Sequence, residues 1–345
     1  MTTKTVSGGK HAVALQFGIF DHVDDNGTPL ADLFETRLKL VEQYDRSGFR
    51  SYHIAEHHST PLGMAPSPSV FLAAVAQRSQ RLRFGPLLYV TLCVAEEVVM
   101  LDHMSRGRLE LGLGRGASPI EIAGFDVEPA DAPAMNREAT DLILKALTSE
   151  VVSYEGKFYR CKNVRIEARP LQQPYPPLWF APTEPGRAAD AARLKGNMVT
   201  LIPNAGVKAL TETYRAAWQA QGDEAADLPL LGVFRHVVVA DTDGKARDLA
   251  RPAYRQWRRH MAFLWEWGGL PFPIAAVYPE EFDALETMSM GIAGAPETVR
   301  RYVADSIAQT GITYFVSDFA FGSLPYAAAA RSVELFANEV MPAFR

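Results

Sequence analysis

Apolar residues along this chain fall into short continuous runs that alternate with longer stretches of helical spacing. "AVALQFGIF" (12–20) reads as a buried strand. "LADLFETRLKLVEQYDRSG" (30–48) then places Leu33, Phe34, Leu38, Leu40, Val41 and Tyr44 at helical intervals and stops at Gly48. The same alternation follows: strand "RSYHIAE" (50–56), helix "SPSVFLAAVAQRSQ" (67–80) opened by Ser67 and Pro68, strand "LRFGPLLYV" (82–90) and helix "VAEEVVMLDHMS" (94–105). Strand "RLELGLG" (108–114) and helix "AMNREATDLILKALTS" (134–149) complete the first half. The rhythm breaks at 151–177, where alternation around Glu155-Gly156 predicts a hairpin insertion. It resumes with strand "LWFAP" and a helix over 185–195, then strand "NMVTLI" and a helix over 206–221. Strand "PLLGVFRHVVVA" precedes a long helical stretch over 243–266, and strand "ITYFVSDF" (312–319) precedes a last helix over 325–342.

Strands that are each followed by a helix predict an α/β fold, a closed parallel (β/α)8 TIM barrel with insertions. A doubly wound sheet is the alternative, but the regular repetition favours closure. No linker or internal repeat divides the chain, so residues 1–345 read as one domain, with the hairpin insertion at about 151–177 and a lid-like insertion at about 255–292. In such barrels chemistry sits where strands end. Glu56, His57 and His58 end the second strand and therefore stand on that rim.

Composition narrows the partners. With 48% hydrophobic and 22% charged residues, a formal charge of −5 and no Lys/Arg cluster, nucleic acid and anionic membranes are poor partners. The N-terminus lacks an apolar signal core and no run reaches membrane-spanning length. Two cysteines, Cys93 and Cys161, form no disulfide framework, so a cytoplasmic location with reduced thiols is expected.

Four features could carry chemistry. "HIAEH" (53–57) matches a zinc-protease string, but that string needs a helix; on a strand His53 and His57 lie too far apart to chelate one ion, and no metal site is expected. "LELGLGRGAS" (109–118) reads as G-x-G-x-x-A after a strand, but a loop follows where a dinucleotide site requires a helix. Its glycines instead let something flat approach the backbone. Arg115, Arg137 and Thr183, at strand ends and helix starts, can together hold a phosphate, although each singly reads as an ordinary surface residue or cap. Three of the five tryptophans, Trp257, Trp265 and Trp267, fall before the last strand. Trp257 reads as a helix packing on the barrel, and the stretch from Trp265 to Phe272 as an apolar wall over its mouth.

Several long motifs occur in a fixed order: "AEHH" ending the second strand, "SPSVFLAAVAQRSQRLRFG", "AEEVVMLDHMSRGRLELGLGRG", "YEGKFYRCKNVRIEARPLQQPYPPLWFAP" and "GAPETVRRYVADSIAQTGITYFV". Over nearly the whole chain they resemble bacterial luciferase and the luciferase-like flavin monooxygenases. The resemblance implies a barrel that takes reduced FMN (FMNH2) from a separate flavin reductase and oxygenates a small organic substrate through a C4a-peroxyflavin. It implies His57 as the catalytic histidine, with His58 and Glu56 beside it; Glu56 is the expected partner for one ring nitrogen of His57, although adjacent strand positions point to opposite faces. Arg115, Arg137 and Thr183 match positions that hold the flavin phosphate, and Leu87, Leu88, Gly114 and Ala181 complete the cofactor set. It also implies a dimer, a homodimer or close heterodimer, through the helices after the second and third strands.

The chain departs from the family pattern in three places. Gly114 stands where the luciferase has a reactive cysteine, so no thiol chemistry carries over. Gly186, beside Arg187, stands at a phosphate-side hydroxyl position. The crossing "YVTLCVAEEV" lacks several residues usual in the family, although a strand and its helix need about two to six between them; the loop is short, or residues are missing from it. Two other readings remain open: a deazaflavin-dependent oxidoreductase of the same superfamily, which transfers hydride without oxygen, and a non-catalytic flavin-binding relative. The Glu56-His57-His58 string favours the FMN branch, and the ordinary imidazole range suits proton transfer to and from a peroxyflavin.

Overall fold

The computed structural model describes residues 14–344 apart from 59, 88–93, 115, 117, 167, 223 and 275–276. Its first half contains β1 (Gln16–Asp21), α1 (Leu30–Ser47), β2 (Ser51–Ile54), α2 (Pro68–Arg78), β3 (Arg83–Pro86), α3 (Val94–Ser105), β4 (Leu111–Gly112), α4 (Pro119–Gly124) and α5 (Ala132–Thr148). An antiparallel hairpin follows, β5 (Val151–Glu155) and β6 (Arg160–Arg165). The second half holds β7 (Leu178–Phe180), α6 (Pro185–Arg193), β8 (Asn197–Thr200), α7 (Asn204–Ala220), β9 (Leu231–Val239), α8 (Asp243–Trp267), α9 (Phe282–Thr287), β10 (Gly291–Gly294), α10 (Pro296–Thr310), β11 (Tyr314–Asp318) and α11 (Tyr326–Leu335).

Parallel pairing runs β3-β2-β1-β11-β9-β8-β7-β4. The ring closes where Phe84 meets Leu109: the Phe84 N–H donates to the Arg108 carbonyl at 3.2 Å and the Glu110 N–H to the Phe84 carbonyl at 2.8 Å. The predicted eight-stranded TIM barrel is the fold observed. The helices close around it because their apolar stripes face the strands; α1 turns in Leu33, Leu40, Val41 and Tyr44 and ends at Gly48, whose φ of +80° suits glycine.

Side chains pointing inward fill the barrel. Phe20, Ala55, Leu87, Trp179, Val199, Phe234, Tyr314 and Val316 form one buried cluster. Gly18 has to be glycine, since a Cβ there would run into the Tyr314 ring and hydroxyl. At the floor, Glu110 accepts from Ser51 Oγ (3.0 Å) and Trp179 Nε1 (2.9 Å) and pairs with Arg50 (2.8 Å) and Arg83 (2.7 Å). Burial alone would raise its carboxyl, yet Arg50, His53 and Arg83 hold it below the usual range.

Several elements differ from the sequence expectation. The run 118–133, read as a loop, contains α4, which is too short to show a period; Ser118 Oγ caps it by accepting from the Ile120 and Glu121 N–H groups at 3.2 and 3.4 Å. Between β9 and β11 the chain adds α9, β10 and α10. β9 runs past the end of its pairing with β11, and its free end takes the four-residue β10. The long helix α8 continues to Trp267 in spite of Pro252, so the expected lid-like insertion at about 255–292 begins as regular helix. The expected hairpin insertion over 151–177 is regular only to Arg165. Residues 88–93, including Cys93 and the crossing into α3, lie outside the described residues. No helix among the described residues is long and apolar enough to cross a membrane.

Candidate active site

The site grows from three rim positions. β1 ends in Asp21 and is followed by His22, which is 4% exposed. β2 runs into Ala55, inside the barrel, and alternation two residues on brings His57 to the mouth. α4, seated after β4, supplies Glu121. His57 Nδ1 lies 3.2 Å from Glu121 Oε1, and the same oxygen accepts the His58 backbone N–H at 2.9 Å. The His57 ring also stacks on His22, centroids 5.7 Å apart and planes 18° from parallel. Gly63 closes the third side; a Cβ there would come within 2.7 Å of His57 Cβ. Carboxylate, ring and backbone together fix one orientation of the His57 imidazole.

The electrostatics assign states to the neighbours. Burial pushes the Glu121 carboxyl up, but the hydrogen bond from His57, its charge and the N–H of His58 outweigh this and hold Glu121 below the usual range, ionised. His22 is pushed well below the usual imidazole range, first by burial and then by His57, His236 and Arg37, so it is neutral. Trp257 Nε1 donates to His22 Nδ1 at 3.4 Å, which leaves the His22 proton on Nε2.

Over these groups lies a narrow cleft. Its polar side is His57, Thr60, Glu121 and His260, and its apolar side Leu62, Met261, Leu264 and Trp265. Free space amounts to about 230 Å³, the solvent at its open side included. Trp257 is buried against His22 and His236, whereas Trp267 is 79% exposed.

Of the residues expected from the sequence, His57 and His58 meet here. Glu56 does not orient His57: its Oε1 sits 3.0 Å from His58 Nε2, because neighbouring strand positions face opposite ways, and Glu121 occupies the place expected of it. Leu87 is buried in the barrel interior and Gly114 is buried just past β4. Ala181 is half-buried after β7; Thr183, before α6, and Arg137, on α5, are exposed. Leu88 and Arg115 lie outside the described residues. Glu121, His22 and His260 were not foreseen. His22 had a signal, since it follows a barrel strand as His57 does; Glu121 had none, because its helix has no visible period. Among the described residues no group of three or more acidic, His or Cys side chains could hold a metal ion.

The donor set suits a phosphate at the start of α6. Among the described residues no side chain caps this helix, a Cβ on Gly186 would meet nothing within 4 Å, and Thr183 stands just before it in the chain. Arg187 is partly engaged, 3.8 Å from Glu184 and 3.9 Å from Asp190.

The family model for luciferase-like monooxygenases matches residues 15–314. The chain belongs to the luciferase-like monooxygenase family. Among proteins similar to this chain, y4wF of Sinorhizobium fredii is 36% identical over 332 residues, 95% of this chain and 96% of the relative. The oxygenase component of flavin-dependent trigonelline monooxygenase from Acinetobacter baylyi is 25% identical over 352 residues, 96% of each chain. The crystal structure of monooxygenase RslO1 from Streptomyces bottropensis superposes with a TM-score of 0.85 at 26% identity, covering 96% of this chain and all of that one.

Proposed function

We propose that this luciferase-like monooxygenase is the oxygenase component of a two-component system: it takes reduced FMN from a flavin reductase and uses dioxygen to oxygenate a small organic substrate in the cytoplasm. The observation that carries the reading is the Glu121–His57 pair on the barrel's C-terminal rim. Its likeness to the trigonelline oxygenase component supports the division of labour. The bound flavin supplies the electrons that activate oxygen. Arg115, Arg137, Thr183 and the open start of α6 would hold its phosphate, and Leu87, Leu88, Gly114 and Ala181 would receive its ring system.

The chain's own residues handle the proton. Ionised Glu121 accepts the Nδ1–H of His57, so Nε2 is the nitrogen left to take up or give a proton. Neutral His22 beneath the ring adds no competing charge. Leu62, Met261, Leu264 and Trp265 exclude water on the far side. His58, tied to Glu56 and edge-on to Phe125 at 5.0 Å, supports the turn rather than the proton transfer.

Anaerobic titration with reduced FMN tests the reading. Saturable binding, weakened by Thr183→Ala and Arg137→Ala, is expected; binding of a reduced deazaflavin with no binding of reduced FMN would overturn it in favour of hydride transfer. We also read the protein as a homodimer through α2 and α3, whose Val70 and Met100 are 73% and 63% exposed. Sedimentation showing only monomer at micromolar concentration would remove that part.

A further inference from the structure

Glu121–His57 is one of two carboxylate–imidazole pairs on the cleft. The other is formed by His260, on α8, and the proton chemistry above gives it no task. Its Nδ1 stands 3.7 Å from Asp24 Oδ2, and its ring lines the cleft. Asp24 is fully buried. It follows Val23, whose φ of +52° is costly for a β-branched residue. The surroundings hold that turn: Asp21 Oδ1 accepts the Val23 N–H at 2.7 Å, and Arg37 lies 3.4 Å from Asp21 and 3.1 Å from Asp24. The Gly322 N–H donates to Asp24 Oδ2 at 2.6 Å.

α8 is pinned at the same place. Thr60 Oγ1 donates to the His260 carbonyl at 3.3 Å, and Gln256 Nε2 to the Asp25 carbonyl at 2.9 Å. Gly322 lets the neighbouring loop press against the helix, since a Cβ there would run into the Ala253 carbonyl. A strained turn and a pinned helix thus face the buried Nδ1 of His260 with the Asp24 carboxylate, at ion-pair rather than hydrogen-bond distance, which leaves Nε2 for whatever enters the cleft. Its neighbours Met261 and Leu264 are apolar. One polar group on an apolar wall fixes the orientation of a ligand more than its affinity. Neither carboxylate is spare, because Asp24 is paired with Arg37 and Glu121 with His57.

We propose that His260, positioned by Asp24, is a specificity-determining residue: its Nε2 hydrogen-bonds the single polar group of an uncharged, otherwise apolar substrate and turns that substrate toward His57. The proposal rests on reading the cleft as the substrate side of the flavin site. It is tested by equilibrium headspace partitioning of two volatile probes of matched shape, cyclopentanol and methylcyclopentane, against the full-length protein. An alcohol can donate or accept, so the result does not depend on the tautomer of His260.

His260→Phe is expected to weaken cyclopentanol binding roughly tenfold, the factor for one lost buried hydrogen bond. Methylcyclopentane binding should stay within about twofold, which also shows an intact cleft, and His260→Gln should restore most of the alcohol binding. Both probes shifting together, or neither shifting (a wild type that binds neither included), overturns the proposal. Reduced FMN binding is measured anaerobically on the same samples. Wild type that fails to bind flavin while the probe selectivity shifts overturns the flavin reading alone. Flavin binding without a selectivity shift overturns the role of His260 alone.

Discussion

Two glutamates at opposite ends of one barrel use the same device with different partners. At the floor, Glu110 is fully buried and gathers Arg50, Arg83, Ser51 and Trp179. At the rim, Glu121 gathers His57 and the His58 N–H. Both carboxyls are held below their ordinary range against the pull of burial. The difference lies in the cation. A guanidinium cannot surrender its proton, so the floor pair is a permanent structural bond. An imidazole can, so the rim pair holds a proton that is free to move.

The largest effect expected from this contrast is on turnover at the rim. His57→Ala should lower the rate of reductase-coupled product formation by roughly 10²- to 10⁴-fold while the urea midpoint barely moves. Glu110→Gln should do the reverse. It removes the carboxylate shared by Arg50 and Arg83, although Arg83 keeps the Gly107 and Leu109 carbonyls and Gln172, and should cost about 1–3 kcal/mol of unfolding free energy, measured in urea, with normal turnover per folded molecule. If Glu110→Gln slowed turnover at unchanged stability, the two ends would not be separable in this way. Glu121→Gln sharpens the comparison: an amide can offer Nδ1 an N–H, which permits the wrong tautomer, so a rate loss of about 10²-fold is expected with little loss of stability.

The sequence carried the barrel further than the site. Continuous apolar strands and helices with long stripes, such as β2 and α1, are visible in one dimension, and so are the rim positions of His57 and His58. What was hidden is short or long-range. β10 has four residues, Gly-Ile-Ala-Gly, and exists because β9 overruns its neighbour. α4 has six residues, yet it carries the carboxylate that orients His57, 64 positions away in the chain. The adjacent Glu56 looked like the partner, and strand alternation turned it to the other side.

Asp24 allows a test by pH. Burial raises its carboxyl from 3.8 to about 6, against the opposing influence of His260 and Arg37. A raised acid contributes stability below its unfolded pKa and loses it as pH rises through the folded one. Between pH 4 and 7, wild type should therefore lose about 1–3 kcal/mol of unfolding free energy relative to Asp24→Asn, as read from urea curves at each pH. Asp21, raised in the same direction, shares Arg37 with Asp24, so the comparison reads the two carboxyls as a coupled pair. A pH-independent difference would contradict the burial of an ionising Asp24. The smallest expected effect is that of Gly63→Ala. The added methyl group presses on His57 Cβ and should slow turnover about tenfold, with a loss of about 1 kcal/mol of stability from the forced shift.

The most direct test of the central claim is to load the protein with reduced FMN without oxygen, mix it rapidly with oxygenated buffer and follow flavin absorbance. The account predicts that bound flavin reoxidises more slowly than free flavin in wild type, and that His57→Ala still binds it but forms product at least about 10²-fold more slowly. Reoxidation at the free-flavin rate in wild type, or full product formation by His57→Ala, would contradict it.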